Sequence, residues 1–166
     1  MNSELHYEIS NFLNHEAFLL DHNHYNEWLD ILSVDIKYRM PLRVTTNNKG
    51  QSNIVNNMTY FEETKSSLIS RVARLYTSSA WAENPATRQR HIISNVMIES
   101  TSNSDEYQVR SYILFLRSRG SDHDTEKLFG ERLDIIRKEN SKWKLIERTI
   151  YPDQAVLTIS NMSMFL

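Results

Sequence analysis

The sequence predicts an α+β fold in which a strongly curved antiparallel sheet wraps around N-terminal helices to give a cone. Apolar residues recur at helical spacing in the first half of the chain and in alternation in the second half. Short polar breaks separate the alternating runs, and short connections favour antiparallel neighbours. The helices of the first half are then the natural cover for one face of the sheet.

Length and composition fit one globular domain, residues 1–166, in the cytoplasm. Apolar residues make up 40% of the chain and charged residues 24%, as in folded domains. A formal net charge of −2 gives no basic footprint for nucleic acid or an anionic membrane. No apolar run approaches the roughly 18 residues that span a bilayer, and the N-terminus lacks an export signal. The chain has no cysteine, which excludes disulfides and thiolate ligands.

Two helices are predicted before residue 33. The first covers residues 4–20, has Ser3 as a candidate N-cap, and places on one face Leu5, Ile9, Phe12, Leu13, Glu16 and Leu20. The second helix ends near residue 32, with Asp21 or Asn23 as its cap. Its spacing of i, i+3, i+4 and i+7 is carried by Tyr25, Trp28, Leu29 and Leu32.

The middle of the chain predicts a strand, a loop and a third helix. β-Prone residues cover about 34–45, with an irregularity expected at Pro41. Polar, turn-forming residues then predict a long loop over about 46–57. Thr64 is a suitable cap for a helix over about 65–77, whose apolar face contains Leu68, Val72, Leu75 and Tyr76.

The second half predicts a meander of four strands over about 88–151. The runs of alternating residues are 88–99, 106–119, 127–138 and 143–151. Apolar positions predict which face is buried. In the first run these are Ile92, Val96 and Ile98, and in the third they are Phe129, Leu133 and Ile135.

The tail, residues 155–166, is unusually apolar and ends in Met164, Phe165 and Leu166. An exposed apolar tail is an aggregation hazard, so we expect it to be buried. Burial within the domain and burial against a partner are both open, and either makes the tail necessary for stability or assembly.

Several residues are candidates for catalysis or metal binding. His22 and His24 lie near Asp21 and Glu27, but residues two apart do not share a helix face. A solvated helix start is therefore favoured over a metal site. Ser78 and Ser79 lie in no nucleophile elbow, and three glycines cannot build a phosphate loop or a dinucleotide fingerprint.

His91 is the strongest candidate for chemistry. It lies in Arg-Gln-Arg-His on the strand face opposite Ile92. One interpretation makes it a general base inside the cone, with Asp35, Tyr38 or Tyr25 as partners. The alternative is an ordered polar residue at an interface or a hydrogen-bonded histidine, and no spacing motif fixes its partners.

Six segments occur in an order typical of one family. They are residues 80–96 (AWAENPATRQRHIISNV), 25–29, 38–43, 71–75, 130–137 and the ending 153–166. From about residue 16 onward the chain resembles the small (β) subunits of aromatic-ring-hydroxylating dioxygenases. The motif Trp-x-Glu-Asn-Pro followed by Ser-Asn-Val-Met is most similar to the small subunits of biphenyl-, cumene- and phenylpropionate-type enzymes.

The resemblance implies a cystatin-like, or nuclear-transport-factor-like, cone that acts as a structural subunit in aromatic hydrocarbon catabolism. Its partner would be a large (α) subunit with a Rieske [2Fe-2S] cluster and a mononuclear Fe(II), commonly as three large plus three small. Ferredoxin and reductase would deliver electrons from NADH, and O2 would be added to the ring as a cis-dihydrodiol. This chain has no thiolates for a Rieske cluster and no convincing facial triad.

Two hypotheses follow. In the first, the chain is a non-catalytic subunit without cofactor or metal, and its interface includes Trp81, Arg88, Arg90, His91, Asn95, Met164, Phe165 and Leu166. In the second, it is a free-standing cone-fold dehydratase or isomerase that uses His91 with Asp35 and Tyr38. Neither hypothesis names the aromatic substrate, because in the first the reacting pocket lies in another chain.

Overall fold

A computed structural model describes residues 3–47, 52–77, 87–121 and 123–166. Within these ranges the helices are α1 (Ser3–Asp21), α2 (Tyr25–Asp30) and α3 (Lys65–Leu75). The strands are β1 (Leu32–Arg43), β2 (Ile54–Glu63), β3 (Thr87–Ser100), β4 (Glu106–Arg119), β5 (Glu126–Glu139) and β6 (Lys142–Pro152). The predicted α+β architecture, N-terminal helices against one curved sheet, is confirmed.

The strands form one sheet in the order β2-β1-β6-β5-β4-β3. Strands β3 to β6 pair antiparallel with their neighbours in chain order, so the predicted meander is confirmed. The parallel pair joins β1 to β6, with Tyr38 opposite Arg148. This pairing attaches the first part of the chain to the last strand of the meander.

Strand β2 was not predicted. The expected loop over 46–57 is wrong from Ile54 onward, because Ile54–Glu63 pairs antiparallel with β1. The strand is half-exposed and mixes apolar and polar residues on both faces, so it lacks the alternation that marks a strand with one buried face. Its backbone bonds to β1 hold it in place. The expected irregularity at Pro41 is confirmed as two register shifts.

The helix ends follow the sequence in part. Thr64 caps α3 as predicted, in a capping box with Ser67. The caps predicted for α2 are wrong, since His24 is its N-cap and makes no side-chain cap bond. Asn23 instead adopts a left-handed φ of 61°, which turns the chain between α1 and α2.

The buried face of the sheet differs from the prediction in two strands. Ile92 is 50% exposed and Phe129 is 44% exposed, whereas His91 and Leu128 point inward. In β3 a bulge at Asn95, with φ of 54°, then reverses the alternation, so Val96 and Ile98 do pack against the core. In β5 the prediction fails because the inward face carries charged residues, which apolar alternation cannot identify.

The helices pack their apolar faces on the inward side of the sheet. Together with inward strand residues and the end of the tail they form one hydrophobic core. The opposite side of the meander strands, called here the outer face, has no described helix over it. No membrane-spanning segment occurs among the helices that the structure describes.

Candidate functional site

Four charged side chains meet inside the cone, and they are called here the core charge network: Glu16, Arg132, Asp134 and Arg148. Helix α1 brings Glu16 inward on its apolar face, while β5 and β6 place Asp134 directly opposite Arg148. All four residues are at most 1% exposed. Burial of this kind requires that the charges pair with one another.

Arg148 is the centre of the network. Its Nε and Nη2 donate to the two carboxylate oxygens of Asp134 at 2.8 and 2.7 Å. Its Nη1 and Nη2 donate to the two oxygens of Glu16 at 2.7 and 2.8 Å. Arg132 lies 3.7 Å from Glu16, and Trp28 Nε1 donates to the same carboxylate at 3.2 Å. The charges of the two arginines and the two carboxylates therefore cancel.

The network holds its members in their charged forms. Burial alone would raise the pKa of Glu16, but Arg148 and Arg132 hold that pKa below its ordinary value. Burial would likewise lower the pKa of Arg148, yet Asp134 and Glu16 raise it well above its ordinary value. A general acid or base needs a pKa near the working pH. The pKa values of Glu16 and Arg148 therefore suit a structural role and not proton transfer.

Tyr38 joins the network to the end of the chain. Its hydroxyl donates to the Leu166 carbonyl at 2.6 Å and accepts from the Leu166 amide at 2.5 Å. Arg148 Nη1 also donates to the Leu166 carbonyl, at 3.0 Å. Burial raises the pKa of Tyr38 to about 12, so the phenol stays protonated.

Residues 160–166, called here the strap, close the cone. Arg71 Nη2 donates to the carbonyls of Met162 and Met164, both at 2.9 Å. The Arg71 guanidinium also lies 4.6 Å from the centre of the Phe165 ring, on which Trp28 packs at 4.4 Å. Met164, Phe165 and Leu166 are at most 4% exposed. Of the two predicted alternatives for the tail, the structure places its end within the chain's own core.

Two further side chains fix the start of the strap. Arg117 Nη1 donates to Ser163 Oγ at 3.1 Å, and its Nη2 donates to the Asn161 carbonyl, also at 3.1 Å. Glu126 accepts from the Ser160 amide at 2.7 Å and also pairs with Arg117. The strap is thus anchored from α3, β4, β5 and β6.

His91 lies at the other end of the strap. Its Nδ1 is 2.6 Å from Asp21 Oδ1, and its Nε2 is 2.8 Å from the Phe165 carbonyl. The backbone amide of His91 donates to the same Asp21 carboxylate. The ring packs on Phe115, with 4.9 Å between centroids. Both ring nitrogens are therefore used in holding the tail and the end of α1.

The structure does not assemble the predicted trio His91, Asp35 and Tyr38. Asp35 is exposed on β1, whereas His91 and Tyr38 are buried and bonded to different residues of the strap. Tyr25 donates to Asn23 Oδ1 at 2.8 Å. The carboxylate at His91 is Asp21, for which the sequence suggested only a role as a helix cap or metal ligand.

The other candidates lie on the surface or outside the described residues. His22 and His24 are exposed, with ring centroids 6.3 Å apart, and His22 Nδ1 contacts the Phe18 carbonyl. Among the residues that the structure describes, no group of three or more histidines or carboxylates could hold a metal ion. Ser78, Ser79 and Trp81 lie outside the described residues.

The predicted interface residues divide into two groups. Arg88, Arg90 and Asn95 are exposed, and Arg88 and Arg90 belong to the outer face. His91 and the three tail residues are buried inside the subunit. The outer face also presents exposed apolar side chains, which sequence reasoning missed or placed in the core: Ile92, Met97, Tyr112 and Phe129.

The core charge network was also missed, although one signal was present. Glu16 is the single charged residue among the six positions of the predicted apolar face of the first helix. A carboxylate on such a face requires a buried cation as its partner. In β5, Arg132 and Asp134 alternate with Leu133 and Ile135, and apolar alternation wrongly predicts the second pair as the inward one.

Comparison with known proteins identifies the relatives of this architecture. A family model described as the ring-hydroxylating β subunit matches residues 15–159. The chain is 38% identical over 167 aligned positions to the 3-phenylpropionate/cinnamic acid dioxygenase subunit β of Photorhabdus laumondii, covering 98% of this chain and 92% of the relative.

Solved structures match the fold. A chain of naphthalene 1,2-dioxygenase with indole bound superposes with a TM-score of 0.87 at 23% identity, over 100% of this chain and 88% of that one. A Nostoc punctiforme protein with a cystatin-like fold gives a TM-score of 0.59 at 20% identity, over 94% and 96%. At these identities the matches establish the fold, and the predicted cystatin-like cone is confirmed.

Proposed function

The chain belongs to the β-subunit family of aromatic-ring-hydroxylating dioxygenases, and on this premise we propose that it acts, as one domain, as a non-catalytic structural subunit. The complex it serves is an oxidoreductase that adds O2 to an aromatic ring. The family model and the 38% identical relative both support this role. The reacting pocket then belongs to the large subunit, which sets the substrate.

Burial of the tail inside the cone, in the part of the chain that the structure describes, is the observation that carries the non-catalytic role. A free-standing dehydratase or isomerase needs room for substrate beside its base. Here the ring of Phe165 and the backbone of Leu166 occupy the interior, and Tyr38 and Arg148 bond to that backbone. The second hypothesis therefore has less support than the first.

The proposed partner is a large subunit that carries the Rieske [2Fe-2S] cluster and the mononuclear Fe(II). The residues of this chain do not fit a Rieske cluster, because such a cluster takes two cysteine thiolates and the chain has no cysteine. We propose three large and three small subunits, with ferredoxin and reductase passing NADH-derived electrons to the complex. We propose a cytoplasmic location, where NADH is available to the reductase.

The outer face is the proposed contact with neighbouring subunits. Its exposed apolar side chains lie among cations, as at many protein interfaces, where aromatic residues, methionine and arginine are enriched. Ile92 on β3, Leu114 on β4 and Phe129 on β5 stand side by side in one row across three strands. Two neighbouring rows flank this one on the same face of the sheet. Arg90 belongs to one of them and Tyr112 to the other. Trp81, although outside the described residues, stays part of the proposed interface.

Co-purification with a large subunit tests the role. Expressed alone, the tagged chain should be colourless and free of iron. Co-expressed with the Rieske-type large subunit of the same host, it should elute as one brown complex in size-exclusion chromatography. Separate elution of the two folded chains would contradict the proposal, as would dehydratase or isomerase turnover by the chain alone.

Phe129→Glu tests the position of the interface. A buried charge at a docking site costs several kcal/mol, so the variant should lose the large subunit while keeping its far-UV circular dichroism. Val34→Glu is the matched control, because Val34 is 79% exposed on β1 and away from the outer face of the meander. Equal loss of the complex in both variants would argue against the outer face.

A further inference from the structure

We propose that the strap is latched by a proton: one exchangeable proton held between His91 and Asp21 keeps the Phe165 carbonyl bound, and its loss releases the strap tip. The proposal concerns the isolated chain and does not rest on the subunit role. Its basis is the set of atoms that meet at the His91 ring, here called the latch.

Both nitrogens of the His91 ring face oxygen atoms that accept hydrogen bonds. Asp21 Oδ1 lies 2.6 Å from Nδ1, and the Phe165 carbonyl oxygen lies 2.8 Å from Nε2. A carbonyl oxygen has no proton to donate, so Nε2 must carry one. The short contact to Asp21 also needs a proton, which either the imidazolium or the carboxylic acid supplies. The two descriptions contain the same number of protons.

Removal of one proton breaks one of the two contacts. If the neutral ring keeps its proton on Nδ1, the lone pair of Nε2 faces the Phe165 carbonyl. If it keeps the proton on Nε2, a lone pair faces the ionised Asp21. Asp21 is held by the backbone amide of His91, at 3.1 and 3.3 Å, whereas Phe165 lies near the end of the strap. The contact to Phe165 is therefore the one that opens.

The other anchors of the strap keep their charge and protons as the pH changes. Arginine stays protonated in proteins, which covers Arg71, Arg117 and Arg148. Burial raises the pKa of Tyr38 to about 12, and the pKa of Glu126 is held low by Ser160 and Arg117 despite partial burial. Apart from Tyr38 and Arg148, the charged or titratable side chains in contact with the latch or the strap include Asp21 on α1, Tyr25 on α2, Arg71 on α3, Arg117 on β4 and Glu126 on β5.

Hydrogen exchange tests the latch directly. The Leu166 amide, which donates to Tyr38, reports opening of the strap tip, and the buried β4 residue Ile113 reports global unfolding. After correction for the intrinsic rate, we expect Leu166 protection to fall about tenfold or more from pH 5.5 to 9.5, while that of Ile113 changes little. The ¹⁵N shifts of the His91 ring report which ring nitrogens carry a proton at each pH, beside the exchange of Leu166.

Asp21→Asn is the decisive variant. An asparagine at this position can accept from the His91 amide and donate to Nδ1, which leaves a neutral ring free to donate from Nε2 to Phe165. Protection of Leu166 in D21N should therefore be independent of pH. His22→Gln, at the same helix end but exposed, should retain the wild-type profile.

Two results would overturn the proposal. One is a wild-type His91 ring that is singly protonated throughout while Leu166 stays protected. The other is a D21N profile with the same pH dependence as the wild type. If D21N does not fold, the ring shifts and Leu166 exchange of the wild-type protein still decide the question.

Discussion

Arg148 is a guanidinium without access to water, held between the carboxylates of Glu16 and Asp134. Such a group contributes little net stability when it is intact, because the cost of leaving water offsets the attraction. Removal of one partner, in contrast, leaves a buried charge that no other group neutralises. The cost of this charge lowers the stability of the folded state.

Glu16→Gln should therefore destabilise the protein strongly. Loss of the carboxylate leaves Arg148 and Arg132 with a single anion, and breaking a buried pair costs roughly 3–5 kcal/mol. Urea unfolding at pH 7, followed by Trp fluorescence, measures the change in free energy of unfolding. Glu27→Gln on the exposed side of α2 is the control and should stay within about 0.5 kcal/mol of the wild type.

The Glu16 carboxylate should also make the stability of the protein depend on pH. The folded protein holds the pKa of Glu16 below its ordinary value of 4.5, so Glu16 contributes stability that is present above that pH. The contribution is lost as the pH falls through the lowered pKa. Wild-type stability should thus decline below about pH 4.5, more steeply than that of Glu16→Gln. Parallel curves would show that Glu16 does not titrate with unfolding.

At the scale of the elements, the β5–β6 hairpin has a tight two-residue turn. Asn140 and Ser141 have φ of 49° and 64°, and Glu139 pairs with Lys142 around them. Two positive φ angles define the type I′ turn, for which Asn-Gly is the preferred pair. Asn140 suits its position, whereas Ser141 carries a side chain that the left-handed region disfavours.

Ser141→Gly should stabilise the protein by about 1 kcal/mol, since it removes the cost of a left-handed serine. Thermal unfolding followed by circular dichroism measures the gain as a rise in Tm. Ser118→Gly, in the extended backbone of β4, is the control and should have the opposite sign. A Tm for Ser141→Gly at or below the wild-type value would contradict the turn assignment.

The same elements show what local sequence can predict. The meander was predictable because its alternation and its turn residues, such as Asn140, are local features. Strand β2 was not, because its place is fixed by pairing with β1 and not by its own pattern. The inward face of β5 was misassigned because Arg132 and Asp134 are compensated by Glu16 on α1 and by Arg148 on β6, and the local pattern of β5 identifies neither partner.

The candidate site was predictable only in outline. His91, Tyr38 and the tail were singled out, but their partners were not, since Asp21 and the backbone of Phe165 and Leu166 reach them through the tertiary fold. A backbone carbonyl carries no sequence signal.

On the scale of the whole molecule, the strap completes the core that helices and sheet leave open. Phe165 lies between Trp28, Tyr25 and the Arg71 guanidinium. Its ring thus connects α2, α3 and the strap.

Phe165→Ala should lower the free energy of unfolding by about 3–5 kcal/mol, because it removes a buried ring and leaves a cavity. The urea midpoint measures this loss. Phe18→Ala is the matched control, since Phe18 is 50% exposed on α1 and should cost less than about 1 kcal/mol. Similar losses in the two variants would mean that the strap does not close the core.

The parallel pairing of β1 with β6 also decides when this chain can fold. Tyr38 leaves the ribosome about 110 residues ahead of Arg148, its neighbour across the sheet. Until β6 emerges, β1 lacks one of its two neighbours and Glu16 lacks its principal counter-ion. Contacts so distant in sequence slow folding and leave apolar surface exposed during synthesis. The chain therefore completes its fold only after β6 has been synthesised, late in translation or after release.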